Sequence, residues 1–426
     1  MKQVTEIMEE MKAGKLRGLL EDIYVDAHVI PAQEARYIKA MEKFTALFGP
    51  QEVEIYSAAG RSEVGGNHTD HQQGMVLATS INLDVIAVVS KNEDSAVRVV
   101  SEGYKMIELS AEDLEKRPEE EETSIGLIRG VLRGLRDRGY KTGGFNAYMT
   151  SDVLGGSGLS SSAAFETVIG TIVDGLYNEM SISMVEIAQI GQFAENVFFG
   201  KPSGLMDQMA CAVGGMIHID FKDPEKPKVE KVDVDFEAYH YSLCIVDVKA
   251  SHSDLTYAYA LVPEEMKKVC DYFGKKHLRE IEPEEFYTHI PEIRKVTGDR
   301  AVLRAIHFYG DNERVQKEVD ALKNGEFKEF LKLVKESGDS SFKYLQNIYT
   351  NEDVQNQSMS IALAVSERVL GGHGVCRVHG GGFAGTIQVF VENDFVETYR
   401  RAMDEIFGAG ACHVLKVRKY GGLKVM

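Results

Sequence analysis

Residues 153–166 read VLGGSGLSSSAAFE: three glycines lead into three consecutive serines, two alanines and then an apolar, helix-forming segment. Glycine tolerates positive φ and lets backbone N–H groups approach an anion. A following helix offers unpaired N–H groups and the positive end of its dipole to the same charge. A Gly/Ser cluster alone is often only a flexible loop, so its surroundings decide. Upstream, residues 143–151 (GGFNAYMTS) predict a short strand; downstream, Ala163, Ala164, Val168, Ile169, Ile172 and Val173 recur with helical spacing. Strand, glycine turn and helix start form the geometry of a phosphate cradle, and nucleotide binding is the leading expectation.

The chain has 426 residues, enough for two or three domains, and at 44% hydrophobic and 27% charged it is expected to be globular. A formal net charge of −18 argues against nucleic acid and against an anionic membrane surface, both of which need clustered Lys and Arg. A small-molecule partner fits better. The N-terminus, MKQVTEIMEEMKAGKLR, has no apolar h-region and no apolar run reaches the length of a membrane span, so a cytoplasmic location is expected. Cys211, Cys244, Cys270, Cys376 and Cys412 are odd in number and never form CxxC pairs, which predicts reduced, mostly core thiols.

Residues 1–40 carry two amphipathic helical patterns separated near Pro31, the second continuing over 34–48. Strands are predicted at 53–57 and 81–90, helices at 124–138, 163–177 and 183–199, and a solvated acidic loop at 119–122. A composition shift over 225–237 (ending KPKVEKVDVDFE) marks a boundary. After it come a strand at 242–248, a helix-rich region and strands at 386–391 and 412–417.

Gly380, Gly382 and Gly385 formally satisfy GxGxxG, but the residues that follow favour a strand rather than a helix. A tight glycine turn near another loop or a substrate, or a plain structural turn, fits better than a Rossmann fingerprint. Walker P-loop and protein-kinase signatures are absent from the sequence. Residues 60–74, GRSEVGGNHTDHQQG, concentrate Arg61, Glu63, Asn67, His68, Thr69, Asp70 and His71 in one short polar stretch. It suits a polyhydroxylated ligand, with an arginine available to stabilise a transferring phosphoryl group. His68 and His71 lack the further ligands a metal site needs. Glu195 and Asp207, the latter in GKPSGLMD, supply two acids for the two needs of phosphoryl transfer to an alcohol: orienting or deprotonating the hydroxyl, and ligating Mg²⁺.

The stretches GRSEVGGNHTDHQQG, GGSGLSSSAAFE and HGGGFAG together resemble the three ordered motifs of the GHMP small-molecule kinases, and the first resembles the galactokinase signature. The resemblance runs from about Phe44 to the C-terminus. It implies an α+β, two-domain GHMP kinase fold, with an N-terminal domain like the second domain of ribosomal protein S5 and a C-terminal ferredoxin-like domain. The division it suggests is a helical extension (1–40), an ATP- and sugar-binding domain (41–235) and a C-terminal domain (236–426). By similarity, Gly156, Ser157, Gly158, Leu159, Ser160, Ser161 and Ser162 wrap the triphosphate of ATP, and Ser162 and Glu195 hold Mg²⁺. Asp207 and Arg61 are the catalytic pair, and Asn67, His68, Asp70, Gly204 and Tyr259 occupy sugar-contacting positions.

The implied reaction is in-line transfer of the γ-phosphoryl group from MgATP to an anomeric hydroxyl, with Asp207 acting as base or merely orienting the hydroxyl. Galactose is the expected substrate. The sequence departs from the usual galactokinase pattern GRVNLIGEHTDYNGG: Asn67 stands where that pattern has a glutamate, Glu63 where it has an asparagine and His71 where it has a tyrosine. Leu154 replaces a common proline, and no tryptophan is present. A related sugar (L-arabinose, galacturonate, N-acetylgalactosamine) and a non-catalytic sugar/ATP sensor are therefore the alternatives. No nucleic-acid or membrane partner is expected.

Overall fold

The computed structural model describes the chain except for Leu154, Gly156, Ser157, Pro202 and residues 250–254. Strand β1 (Lys2–Gln3) is followed by helices α1 (Val4–Lys12), α2 (Arg17–Tyr24) and α3 (Ile30–Phe48). The separation expected near Pro31 falls at residues 25–29, between α2 and α3. Pro31 lies in the first turn of α3, where a missing N–H costs nothing and the fixed φ already suits a helix.

Strands β2 (Glu52–Gly65) and β3 (Met75–Lys91) run well beyond the expected 53–57 and 81–90. After them come β4 (Ala96–Ser101), β5 (Ile107–Ser110), α4 (Ser124–Asp137), β6 (Phe145–Ser151), α5 (Ser161–Tyr177), α6 (Met184–Phe193), α7 (Met206–Val213), β7 (Met216–Asp220) and β8 (Lys228–Lys231). They build a sheet in the order β1-β2-β3-β6-β4-β5, in which β7 takes the other half of β3 and β8 pairs with β7. Both faces are covered. Ile55, Ile86, Val88 and Tyr148 pack on Ile7, Tyr37 and Phe44 of the N-terminal helices; Tyr56, Ala58, Ala87 and Met149 pack on the face of α4 to α7. A strand buried on both faces has little polar alternation, which is why the sequence shows only fragments of β2 and β3.

Two further expectations change. The acidic stretch 119–122 is not simply solvated: Glu120 is buried and accepts Arg129 Nε at 2.6 Å and Nη2 at 2.7 Å. The helix expected over 183–199 changes winding, because Ala194–Phe199 forms a π-helical turn, a feature frequent at functional sites, with Glu195 on it.

The second half comprises β9 (Tyr241–Asp247), α8 (Thr256–Tyr272), α9 (Pro283–Thr297), α10 (Asp299–Lys323), α11 (Phe327–Ser340), α12 (Ser358–Leu370), β10 (Gly374–His379), β11 (Thr386–Glu392), α13 (Val396–Phe407) and β12 (Cys412–Leu415). Its sheet is antiparallel in the order β10-β11-β9-β12, the split βαβ arrangement of a ferredoxin-like fold. Met359, Tyr399 and Met403 cover one face, and Phe327, Phe330 and Val334 of α11 lie against the other. Strand β13 (Leu423–Lys424) returns to pair with β2. All five cysteines are buried and free. Among the described residues, no helix is long and apolar enough to cross a membrane.

Buried charge pairs fix these layers. Asp84 on β3 accepts Arg36 Nη1 of α3 at 2.7 Å, Arg418 Nη1 of the C-terminal tail at 2.8 Å and the Tyr24 hydroxyl at 3.0 Å. Arg377 on β10 donates to Glu63 Oε1 on β2 at 2.7 Å and to the Val64 carbonyl, with both side chains buried. Removing one partner of a buried pair strands the other charge. Arg377→Met is therefore expected to cost about 3–5 kcal/mol of unfolding free energy, read by urea denaturation, and adding Glu63→Gln should recover part of that loss.

Candidate active site

Two β-bulges shape the centre of the site. The β2–β3 register shifts between Ala59 and Arg61 and again between Glu63 and Gly65, which re-aims the side chains from 61 onward. Arg61 is thus on a strand, not in a loop. Its guanidinium, only 6% exposed, donates through Nε and Nη2 to Asp207 Oδ1, both at 2.8 Å. Ser160 Oγ donates to Asp207 Oδ2, and Arg61 Nη1 donates to the Gly158 carbonyl. The loop that precedes α5 is therefore tied directly to the Arg61–Asp207 pair.

Burial alone would push the Asp207 carboxyl up. Arg61's charge and hydrogen bonds, together with Ser160, more than offset this and hold it below the usual carboxylate range. Asp207 stays ionised.

The loop enters α5 through Ser160, whose φ of +59° is left-handed, and α5 begins at Ser161, two residues earlier than its apolar spacing suggests. Ser161 and Ser162 consequently sit in the first helical turn. That turn carries no acidic side chain, as an anion site at a helix start requires. Leu159 is fully buried and its carbonyl accepts Arg61 N–H at 3.2 Å, so it anchors the loop from below. Gly156 and Ser157 lie outside the described residues.

Glu195, almost fully buried, accepts Ser162 Oγ at 3.3 Å, Lys201 Nζ at 3.1 Å, Ser203 Oγ at 2.7 Å and Gln208 Nε2 at 2.7 Å. Beside it Glu166 keeps one buried oxygen without a hydrogen-bond partner; burial first, and then Glu195's charge, push its carboxyl well up. A hydroxyl and a carboxylate next to an orphaned carboxyl oxygen make an all-oxygen donor set, which fits a hard divalent cation that also binds phosphate.

A cavity of about 510 Å³, within the range of small-molecule sites, is lined by His68, Asp70, Gly204 and Tyr259, four of the five expected sugar positions. The positions come together for identifiable reasons. A Cβ on Gly204 would lie 1.9 Å from Asp70 Oδ2, so only glycine lets that carboxylate approach. Tyr259 Oη donates to the Gly382 carbonyl at 2.6 Å, which fixes its ring on the glycine turn after β10. His68 Nε2 donates to the Gly381 carbonyl at 2.9 Å. His68 Nδ1 therefore accepts from His71 Nε2 at 3.3 Å. Burial lowers the two imidazoles to about 4 and about 3, so both are neutral near pH 7. Burial and then Asp207's charge raise Asp70 to about 6.

Asn67, the fifth position, does not line the cavity. It is fully buried: its amide donates to Glu63 Oε1 at 3.0 Å and to the Gly380 carbonyl at 2.6 Å, and its oxygen accepts Ser341 and Asn347. Neighbouring Glu63 is likewise committed to Arg377 and Asn67, and burial raises its carboxyl to about 7. The structure adds residues that sequence reasoning missed. Gln208 is adjacent to a motif residue and was within reach, whereas Ser160, expected on the triphosphate, also bonds Asp207. His277, Gln192 and Pro263 of the cavity wall carry no local signal because the chain brings them in from elsewhere.

Comparison with known proteins agrees with this geometry. The galactokinase galactose-binding signature matches residues 42–91, and the GHMP kinases N-terminal domain matches 126–215. A galactokinase from Glaesserella parasuis is 32% identical over 365 residues, covering 85% of this chain and 91% of that protein. The chain belongs to the galactokinase family. Another galactokinase, from Streptomyces coelicolor, is 28% identical over 88% of the chain and 94% of its own length. Among solved structures, Lactococcus lactis galactokinase complexed with galactose superposes with a TM-score of 0.77 at 24% identity, covering 90% of this chain and 98% of that one. Methanococcus jannaschii mevalonate kinase gives 0.60 at 16% identity, over 86% and 98%. The two-domain α+β architecture is the GHMP kinase fold, and this galactokinase-family chain is a kinase whose phosphoryl donor is ATP. Gly204→Ala should displace the Asp70 carboxylate and raise the acceptor KM by about tenfold. Steady-state kinetics beside a melting curve would separate that effect from unfolding.

Proposed function

We propose that this chain transfers the γ-phosphoryl group of ATP to the anomeric hydroxyl of galactose. The observation that carries the reading is the adjacency of two features: the cavity of Asp70, His68, Gly204 and Tyr259, and the Arg61–Asp207 pair bonded to the loop before α5. The serine-rich loop and the start of α5 hold the phosphates. Asp207, kept ionised, accepts the hydroxyl's hydrogen bond and aims its oxygen at the γ-phosphorus. Its lowered proton affinity favours orientation over early proton abstraction, consistent with a transition state in which bond breaking leads. Arg61 neutralises charge as it builds on the transferring group.

Ser162 and Glu195 would hold Mg²⁺, which neutralises charge on the phosphate oxygens when bound. The same reading assigns residues 41–235 to an ATP- and sugar-binding domain, 236–426 to a C-terminal domain and 1–40 to an extension, and places the protein in the cytoplasm.

Among the described residues that line the cavity, Asp70 alone is acidic, because Asn67 faces away and is neutral. This favours a second reading, a sugar differing from galactose at its exocyclic carbon. ADP release with galactose, N-acetylgalactosamine, galacturonate, L-arabinose and glucose distinguishes the two. The proposal expects the highest kcat/KM on galactose. A preference for galacturonate or L-arabinose would move the assignment to that sugar, and ATP binding without turnover on any of the five would make the protein a sensor.

Asp207→Asn should lower kcat by at least about 10²-fold while ATP binding survives in calorimetry. The acceptor kcat/KM should be flat above pH 6 and fall about tenfold per unit below it, as Asp70 takes up a proton and loses its acceptor role. An unchanged slope in Asp70→Asn would show that another group sets that limb.

A further inference from the structure

The first turns of the third helix lie against the strand that leads into the phosphate loop. Strand β6 closes at Ser151, and Asp152 is the last residue before the glycine-rich stretch begins. Asp152 N–H donates to the Asp84 carbonyl at 2.9 Å, which fixes its backbone on β3. Its side chain is taken by α3: Arg36 Nη1 lies 2.9 Å from Asp152 Oδ2, and Gln33 Nε2 donates to the same oxygen at 2.9 Å. Arg36 Nη2 meanwhile donates to the Thr150 carbonyl at 2.9 Å and to the Asp84 carbonyl at 2.8 Å. A single guanidinium thus holds the middle of β3 and the end of β6 together with the carboxylate at the root of the loop.

Its strength comes from its setting. Arg36 is about one-tenth exposed, while burial disfavours and Asp84 then restores its charge, so the ion cannot leave for solvent without stranding the buried Asp84. Lysine could not replace it, because a point charge lacks the planar fork that reaches two carbonyls and two carboxylates at once.

We propose that α3 is a brace for the phosphate loop, with Arg36, Gln33 and Asp152 as positioning residues for ATP rather than groups that touch it. The loop's far end is already fixed by Arg61 and Leu159. The brace fixes its near end at Asp152, so less order has to be imposed when the nucleotide binds. This gives the N-terminal helices a part in catalysis without any contact to substrate, and it rests on the reading of residues 153–162 as the nucleotide loop.

The test uses Asp152→Ala, whose side chain is about one-third exposed and whose loss leaves Arg36 on Asp84, together with Gln33→Ala, the double variant and Arg36→Lys. The inference expects a rise in ATP KM of about 5- to 10-fold in Asp152→Ala, a smaller rise in Gln33→Ala and less than additive effects in the double variant. Sugar KM should stay within twofold and the melting temperature close to wild type. Arg36→Lys should raise ATP KM although its charge is kept. An ATP KM within twofold of wild type in Asp152→Ala, or equal rises in both KM values, overturns the brace. Wild-type protein that binds no ATP would instead overturn the functional reading on which the brace depends.

Discussion

A guanidinium taken out of water has to find its counter-charge inside the protein, and Arg61 finds it in Asp207. That requirement organises the site. It draws the first turn of α7 onto the bulged centre of β2. Because Asp207 has a second oxygen and Arg61 a third nitrogen, the loop before α5 is drawn in as well, through Ser160 and Gly158. Three segments far apart in sequence are thereby held within hydrogen-bond distance of one carboxylate. The same pairing keeps that carboxylate ionised although it is partly buried.

The neighbouring carboxyls differ because their partners differ. Burial first, and then the charge of Asp207, raise the affinity of Asp70 for a proton, against a weaker pull from Arg61. Glu63 lies one step along β2 on a strand packed against Arg377, and it serves the contact between the two sheets rather than the cavity. Asn67 follows the same logic. Its amide is used up by Glu63, Gly380, Ser341 and Asn347, so the side chain belongs to the junction between the first sheet and the glycine turn after β10. Among the described residues, the cavity is left with the neutral His68 and His71 imidazoles, the Asp70 carboxyl and Tyr259, a surface that recognises hydroxyl groups by direction more than by charge.

Asp84 plays for the architecture the part that Asp207 plays for the site. Arg36, Arg418, Tyr24 and Ser57 all point at it, so the N-terminal helices, the C-terminal tail and the central strands share one buried anchor. Covering both faces of β3 is what makes such an anchor necessary, since nearly all of its side chains are buried.

The sequence by itself determined the glycine and serine loop and the helix after it. It also determined the order of the three motifs and the residues proposed for the reacting centre, because those functions need particular chemical groups at fixed local spacing. It did not determine the lengths of β2 and β3, where helices on both faces erase the alternation a strand would otherwise show. Nor did it determine the role of Glu120, whose buried partner is nine residues away across a turn. Asn67 lies inside the most recognisable motif of the chain, yet only tertiary structure decided where its amide points. The partners that claim it, Gly380, Ser341 and Asn347, come from 274 to 313 residues further along the chain. Local chemistry is written in spacing, whereas the assignment of a buried polar group depends on which distant segment arrives to satisfy it.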